Sequence, residues 1–235
     1  MIFEKLWKRF YFKAFGKKAI GSRSQTGIIF GKKDSLTRIM VFGDSNAYRP
    51  ENGKDCWPAM LQRLSGKTLR VINESCDGRT TRYDTGPCNG LNVLEKKIRR
   101  AAPLDWVIIA LGTNDVKSKY GPPDAVEVVE GIEKIITTVK TVDARVIPIL
   151  LTPPPLGHVT AGDLAGAQDR IPPLVVEYFR CAVTQNIPII DLSLTVDTDV
   201  DLEADCVHLN SQGRKKVAEI VWKNFQEISQ RIEMV

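Results

Sequence analysis

The chain contains two histidines, His158 and His208, so chemistry that needs an imidazole has few places to occur. His208 stands three residues after Asp205 in the run Asp205-Cys206-Val207-His208. One turn of chain can therefore bring a carboxylate to an imidazole N–H, where it fixes the tautomer and stabilises the imidazolium as it forms. An imidazole ordinarily titrates near 6.5, close to working pH, which suits it to general-base catalysis. The group it would serve is a hydroxyl, because a serine is a poor nucleophile until a base within hydrogen-bond reach takes its proton. Ser45, in Gly43-Asp44-Ser45-Asn46, is the candidate. Attack on an acyl carbon creates an oxyanion, and one preorganised donor aimed at it is worth about 3 kcal/mol by comparison with a serine protease. The backbone N–H groups of Ser45 and Gly78 and the side-chain amide of Asn114 can act as such donors, glycine at 78 allowing close approach and unusual backbone angles.

Each of these signals is weak alone, and they matter only if the fold gathers them. From Arg38 onward, short apolar runs at 39–42, 69–72, 106–111, 146–151 and 187–190 are rich in Val and Ile on consecutive positions. Such runs read as parallel strands buried on both faces. Between and after them, stretches at 57–64, 91–101, 125–142, 174–185 and 211–232 read as helices. Asp124 and Ser211 are suited to cap two of them, with Glu127 at capping-box spacing. Alternation five times over predicts a three-layer α/β/α fold with a five-stranded, parallel, flavodoxin-like sheet. Ligands in such sheets bind outside the carboxyl ends of the strands. Every candidate follows a strand: Ser45 the first, Gly78 the second, Asn114 the third, and Asp205 with His208 the fifth.

Composition narrows the field further. With 235 residues, 43% hydrophobic and 26% charged, the chain has the makeup of a globular protein with one large domain, and no apolar run approaches a membrane span. The net charge of +5 is uneven: up to Arg38 there are ten Lys and Arg against two acids, and thereafter 23 against 26. The body is thus net negative, which argues against a nucleic-acid partner. The arm, residues 1–37, sets Phe3, Trp7, Phe10, Tyr11, Phe12 and Phe15 among lysines and arginines, with Ile2, Phe3, Leu6, Trp7, Phe10 and Ala14 at helical spacing. That pattern fits an interfacial helix over residues 1–18 on anionic lipid, and equally a helix packed on the body or on a second subunit. Residues 21–31 read as a linker. The arm lacks a secretory signal's apolar core and cleavage site, so a cytoplasmic location is expected, with membrane association through the arm. Five cysteines without a CxxC pair read as reduced, structural thiols; a Cys76–Cys88 disulfide stays open. With two histidines and no ligand spacing, no metal is expected, nor any cofactor.

At this point the chain resembles the SGNH or GDSL hydrolases over residues 38–230, in their arylesterase and acyltransferase-like branch. The resemblance rests on Gly43-Asp44-Ser45, Gly78 in Gly78-Arg79-Thr80-Thr81, Gly112-Thr113-Asn114-Asp115, Asp205-Cys206-Val207-His208, and Pro153-Pro154-Pro155-Leu156. It implies a hydrolase domain over 38–235 that cleaves short-chain carboxylic esters through an acyl-enzyme, and in some relatives passes the acyl group to other acceptors. Ser45 would be nucleophile, His208 base, Asp205 its orienter, and Ser45, Gly78 and Asn114 the oxyanion donors. Small-molecule esters are the implied substrates, with lysophospholipids, thioesters and acetylated sugars also open. Asn46 departs from the family, which usually has leucine after the serine.

The rival readings are weaker. There is no G-x-S-x-G elbow of an α/β-hydrolase and no nucleotide-binding glycine motif. An idle scaffold that binds a membrane or partner is opposed by the presence of all four signature residues. His158 reads as a loop histidine rather than a pocket residue, and Arg79, Arg82, Lys117 and Lys119 as solvated charges. Residues 152–173, rich in Pro and small residues, have the length of a lid or of a homo-oligomer contact. Asp197, Asp199, Asp201 and Glu203 read as a polar loop rather than a calcium site.

Overall fold

The computed structural model describes residues 36–48, 54–121 and 124–233. The amphipathic helix and linker expected in the arm lie outside these residues. Five strands form one parallel sheet: β1 (Thr37–Gly43), β2 (Leu69–Asn73), β3 (Trp106–Ala110), β4 (Ile147–Leu151) and β5 (Ile189–Ile190), in the order β2-β1-β3-β4-β5. Five helices cover it: α1 (Trp57–Leu64), α2 (Gly90–Ala101), α3 (Ala125–Val142), α4 (Ile171–Gln185) and α5 (Ser211–Glu233).

Strand alternation divides the core in two. Met40, Phe42, Val107, Ile109 and Leu150 meet Leu94 and Ile98 of α2, Ile132 and Ile136 of α3, and Leu174 and Tyr178 of α4. Their neighbours Ile39, Val41, Trp106, Ile108, Ile149 and Leu151 turn the other way, onto Trp57 and Leu61 of α1 and Val217, Val221 and Phe225 of α5. Both faces of the central strands are therefore dry, which is why those strands read as unbroken apolar runs. The outer edge of β2 is covered by Gln62, whose amide donates to the Leu69 carbonyl and accepts from the Val71 N–H.

Most boundaries differ from expectation by one to three residues, and three of the differences have a local reason. Helix α4 begins three residues early because Pro172 and Pro173 fill its first turn, where no N–H is needed. Strand β5 begins two residues late because the Ile187 N–H closes the end of α4 on the Ala182 carbonyl, 3.0 Å away. The cap of α5 is Asn210, whose Oδ1 accepts the Gly213 N–H at 3.0 Å, and Ser211 is the first helical residue. Asp124 caps α3 as expected, accepting from the Val126 N–H.

Candidate active site

Strand β1 ends at Gly43, and the chain turns sharply as the N–H groups of Ala47 and Tyr48 both donate to the Asp44 carbonyl. That turn lifts Ser45 to the sheet's carboxyl edge. Its Oγ lies 3.0 Å from Nε2 of His208, and Nδ1 of His208 lies 2.5 Å from Oδ2 of Asp205. The other oxygen of Asp205 accepts the backbone N–H groups of Val207 and His208, at 3.0 and 2.9 Å. Partial burial works against charge on Asp205, yet the hydrogen bonds from the His208 ring and from these two amides prevail and bring its pKa down to about 2. The carboxylate is therefore ionised across the working pH range. An ionised acceptor on one ring nitrogen leaves the other free to accept a proton from a hydroxyl.

The oxyanion candidates come from three other places. The N–H groups of Ser45 and Gly78 meet no acceptor among the described residues. Gly78 has φ of +68°, a left-handed conformation that costs glycine little and a side chain more. The buried Asn114 amide donates weakly to two acceptors, Oδ2 of Asp44 at 3.4 Å and the Arg79 carbonyl at 3.3 Å. It thus sits between the residue before Ser45 and the residue after Gly78. Such long contacts are readily exchanged for a better acceptor.

Arg79 is not a solvated charge; it is 1% exposed. Its Nη1 donates to the carbonyls of Gly43 and Glu74, its Nε to that of Pro87, and its guanidinium lies 4.3 Å above the Phe42 ring. One cation thus ties together the loops that follow β1 and β2. Sequence reasoning missed it because an arginine after a glycine carries no burial signal of its own. Arg82 does pair near the surface with Glu130 at 3.5 Å, and Lys119 with Asp84 at 3.7 Å.

Two buried acids complete this side. Burial drives Asp44 up to about 6, against the hydrogen bond from the Asn46 N–H and the nearby charges of His208 and Arg79. Burial drives Asp115 up to about 7, against its hydrogen bonds from Thr81. Its Oδ1 accepts both the N–H and the hydroxyl of Thr81, at 2.8 and 2.6 Å, which pins the strand of loop that carries Gly78.

The turn carrying His208 is braced from below. Glu203 donates its N–H to the His208 carbonyl, Asn210 donates its N–H to the Asp201 carbonyl, and Gly157 donates its N–H to the Cys206 carbonyl. Asp201 is fully buried and paired with Lys216, so the acidic run is not simply a polar loop; its middle member anchors α5. Leu156, Val159 and Ala167 join the core, which fastens the segment whose length suits a lid or a homo-oligomer contact. His158 is exposed on that segment, with Nδ1 3.4 Å from the Gln168 amide. The five cysteines are free thiols.

Behind the serine turn, a cavity of about 20 Å³ is closed in by residues including Trp57, Leu151, Pro153 and Leu192. A larger concavity of about 710 Å³ opens beside β2, with Tyr48, Lys54, Arg63, Asn73 and Ser75 on its walls. Among the described residues no cluster of three His, Cys, Asp or Glu suits a metal, and no helix is long and apolar enough to cross a membrane.

Residues 41–216 match the family model of the GDSL-like Lipase/Acylhydrolase family. Among solved structures, a carbohydrate acetylesterase family member from Sinorhizobium meliloti is 27% identical, with a TM-score of 0.72 over 82% of this chain and 98% of its own. A putative arylesterase from Agrobacterium tumefaciens is 26% identical, with a TM-score of 0.71 over 82% of this chain and 100% of its own. The aryl esterase of M. smegmatis shares the fold, with a TM-score of 0.73 at 24% identity over 82% of this chain and 99% of its own. No curated protein matches the chain.

Proposed function

The chain belongs to the GDSL-like Lipase/Acylhydrolase family and is a carboxylic ester hydrolase, and from that premise we propose that Ser45, His208 and Asp205 cleave short-chain esters through an acyl-enzyme. The observation that carries this reading is the unbroken chain from Ser45 Oγ to His208 Nε2 at 3.0 Å and from His208 Nδ1 to Asp205 at 2.5 Å. Ser45 Oγ attacks the ester carbonyl carbon as His208 Nε2 takes its proton, and the carbonyl electron pair moves onto oxygen. The N–H groups of Ser45 and Gly78, with the Asn114 amide, receive that oxyanion. Collapse breaks the bond to the alcohol, which leaves with the proton from Nε2. Water then enters, gives its proton to His208 and attacks the acyl carbon, and the carboxylic acid departs as Ser45 regains its proton. Asp205 holds the Nδ1–H throughout and stays ionised. An alcohol that reaches the acyl-enzyme before water would take the acyl group instead.

The acyl group we propose is short, of the size of acetate or propionate. The solved acetylesterase at 27% identity supports the same size. The concavity beside β2 has room for the alcohol portion. The test is a series of p-nitrophenyl esters from acetate upward, run with Ser45→Ala. Activity should be highest for acetate or propionate, and Ser45→Ala should lose roughly 10⁵- to 10⁶-fold in kcat by comparison with a serine protease. Ser45→Ala that still turns over acetate removes the reading, and a preference for long chains removes the acyl-size part.

A further inference from the structure

Asn46 is the residue by which the serine turn departs from the usual leucine, and it is buried, 8% exposed. A polar side chain there must find partners, and the ones it finds are telling. Its Oδ1 accepts the N–H of Leu209 at 3.0 Å, and its Nδ2 donates to the carbonyl of Val207 at 3.4 Å. These two residues flank His208. Its own N–H donates to Oδ1 of Asp44 at 2.9 Å, which holds the amide's stem in the serine turn. Among the described residues, the hydrogen bonds between the segment following β1 and residues 205–210 are those of the Asn46 amide and of Ser45 Oγ itself. The bracing of the His208 turn from Asp201, Glu203 and Gly157 leads elsewhere, toward α5 and the segment after β4.

On the proposed catalytic reading, we infer that Asn46 is a positioning residue: one amide, fixed beside the nucleophile, grips the backbone on both sides of the base and sets the Ser45–His208 separation. The physical need is plain. Asp205 and His208 lie on a turn whose other supports are local, apart from the Gly157 N–H on the Cys206 carbonyl, and Cys206 within it has φ of +61°, a left-handed conformation in a residue that has a side chain. Nothing in that local bonding fixes the distance to a serine 163 residues away in sequence. A base displaced by about 1 Å costs roughly 10²-fold in rate, so a tether of this kind has a measurable effect. Leucine at 46 has the same branching and number of side-chain heavy atoms but is bulkier, and it leaves the Leu209 N–H without its acceptor.

The experiment uses the full chain and compares Asn46→Leu, Asn46→Asp and Ser45→Ala on p-nitrophenyl acetate. Active serine is titrated with a fluorophosphonate, and folding is checked by circular dichroism. Asn46→Leu is expected to lower kcat per titrated serine about 10- to 100-fold with KM little changed, because the base is displaced while the binding walls remain. Asn46→Asp keeps the acceptor for Leu209, so it should recover most of that kcat. Its new carboxylate near His208 should move the acidic limb of the kcat/KM profile to higher pH. A merely structural residue would change the melting temperature and the titratable fraction without this split. Wild-type kcat in Asn46→Leu overturns the inference, and so does a leucine variant that fails to fold, since the asparagine would then serve the fold and not the geometry. Ser45→Ala separates the levels: if it retains turnover, the catalytic reading has failed whatever Asn46 does.

Discussion

The two halves of the site are built in opposite ways. The proposed oxyanion side, where Ser45, Gly78 and Asn114 stand, rests on buried polar groups: Arg79, Asp44 and Asp115 are all within 2% of full burial. The proton-transfer side is half open, with the Asp205 side chain 46% exposed and that of His208 22% exposed. Its hydrogen bonds are made within residues 201–210, apart from that of the Gly157 N–H to the Cys206 carbonyl and the reach of Asn46 and Ser45. The difference follows from the tasks. Donors for an oxyanion must be fixed before charge appears, and a low-dielectric setting makes fixed dipoles count for more. A base has to exchange protons with leaving alcohol and incoming water, which favours access. Rigidity on one side comes from burial and long-range bonds, and on the other from a tight turn tethered by Asn46 and Gly157.

The sharpest test of this contrast is a pair of substitutions. Asp205→Asn should lower kcat by roughly 10³- to 10⁴-fold, as for the aspartate of a serine protease, because the ring tautomer is lost. It should lower the melting temperature less than the second substitution, since the group is half exposed and an asparagine oxygen can still accept the Val207 and His208 N–H groups. Asn114→Ala should lower kcat by roughly 10²- to 10³-fold and also lower the melting temperature by roughly 2–12 °C, because the buried Asp44 loses a donor. Equal loss of stability in both variants, measured by thermal unfolding, would erase the distinction.

A smaller effect sharpens it from outside the site. A side chain at Gly131 on α3 would press on Thr81, with a new Cβ 2.8 Å from that of Thr81. Gly131→Ala should therefore cost about 1–3 kcal/mol by overpacking. It should also reduce kcat, since Thr81 is held by Asp115 two positions beyond the loop's Arg79. Full activity in a destabilised Gly131→Ala would show that the oxyanion side is less tightly coupled to α3 than its packing implies.

The smallest expected effect is in pH dependence. With folded pKa values of about 6 and about 7 against an ordinary 3.8, Asp44 and Asp115 hold protons in the native state that the unfolded chain releases. Their contribution to stability is present at low pH and is lost as pH rises from about 4 to about 7. Asp205 has the opposite sign: lowered to about 2, it contributes above pH 4 and loses that contribution as pH falls toward 2. Asp115→Asn should flatten the decline in melting temperature between pH 4 and 7, and leave the acid limb in place. An unchanged slope would remove Asp115 from this account.

Much of this was legible in residue order. Strand runs buried on both faces have no polar alternation to obscure them, and Gly-Asp-Ser, Gly-Thr-Asn-Asp and Asp-x-x-His each fall just past a strand. Boundaries slipped where backbone partners, not propensity, decided them, as at Pro172, Ile187 and Asn210. Side-chain roles were legible only when they were local: Asp205 reaches His208 within one turn, so spacing announces it.

By itself, then, the sequence determined the layered fold, the strand each candidate follows and the local Asp205–His208 pair, because periodicity and short spacing are properties of contiguous chain. Tertiary structure alone decided that Arg79 is buried beneath two loops, that Asp201 is a buried anchor, and that the Asn46 amide bonds the backbone on both sides of His208. These depend on burial and on partners up to 163 residues distant, which only the closed sheet brings within hydrogen-bond reach.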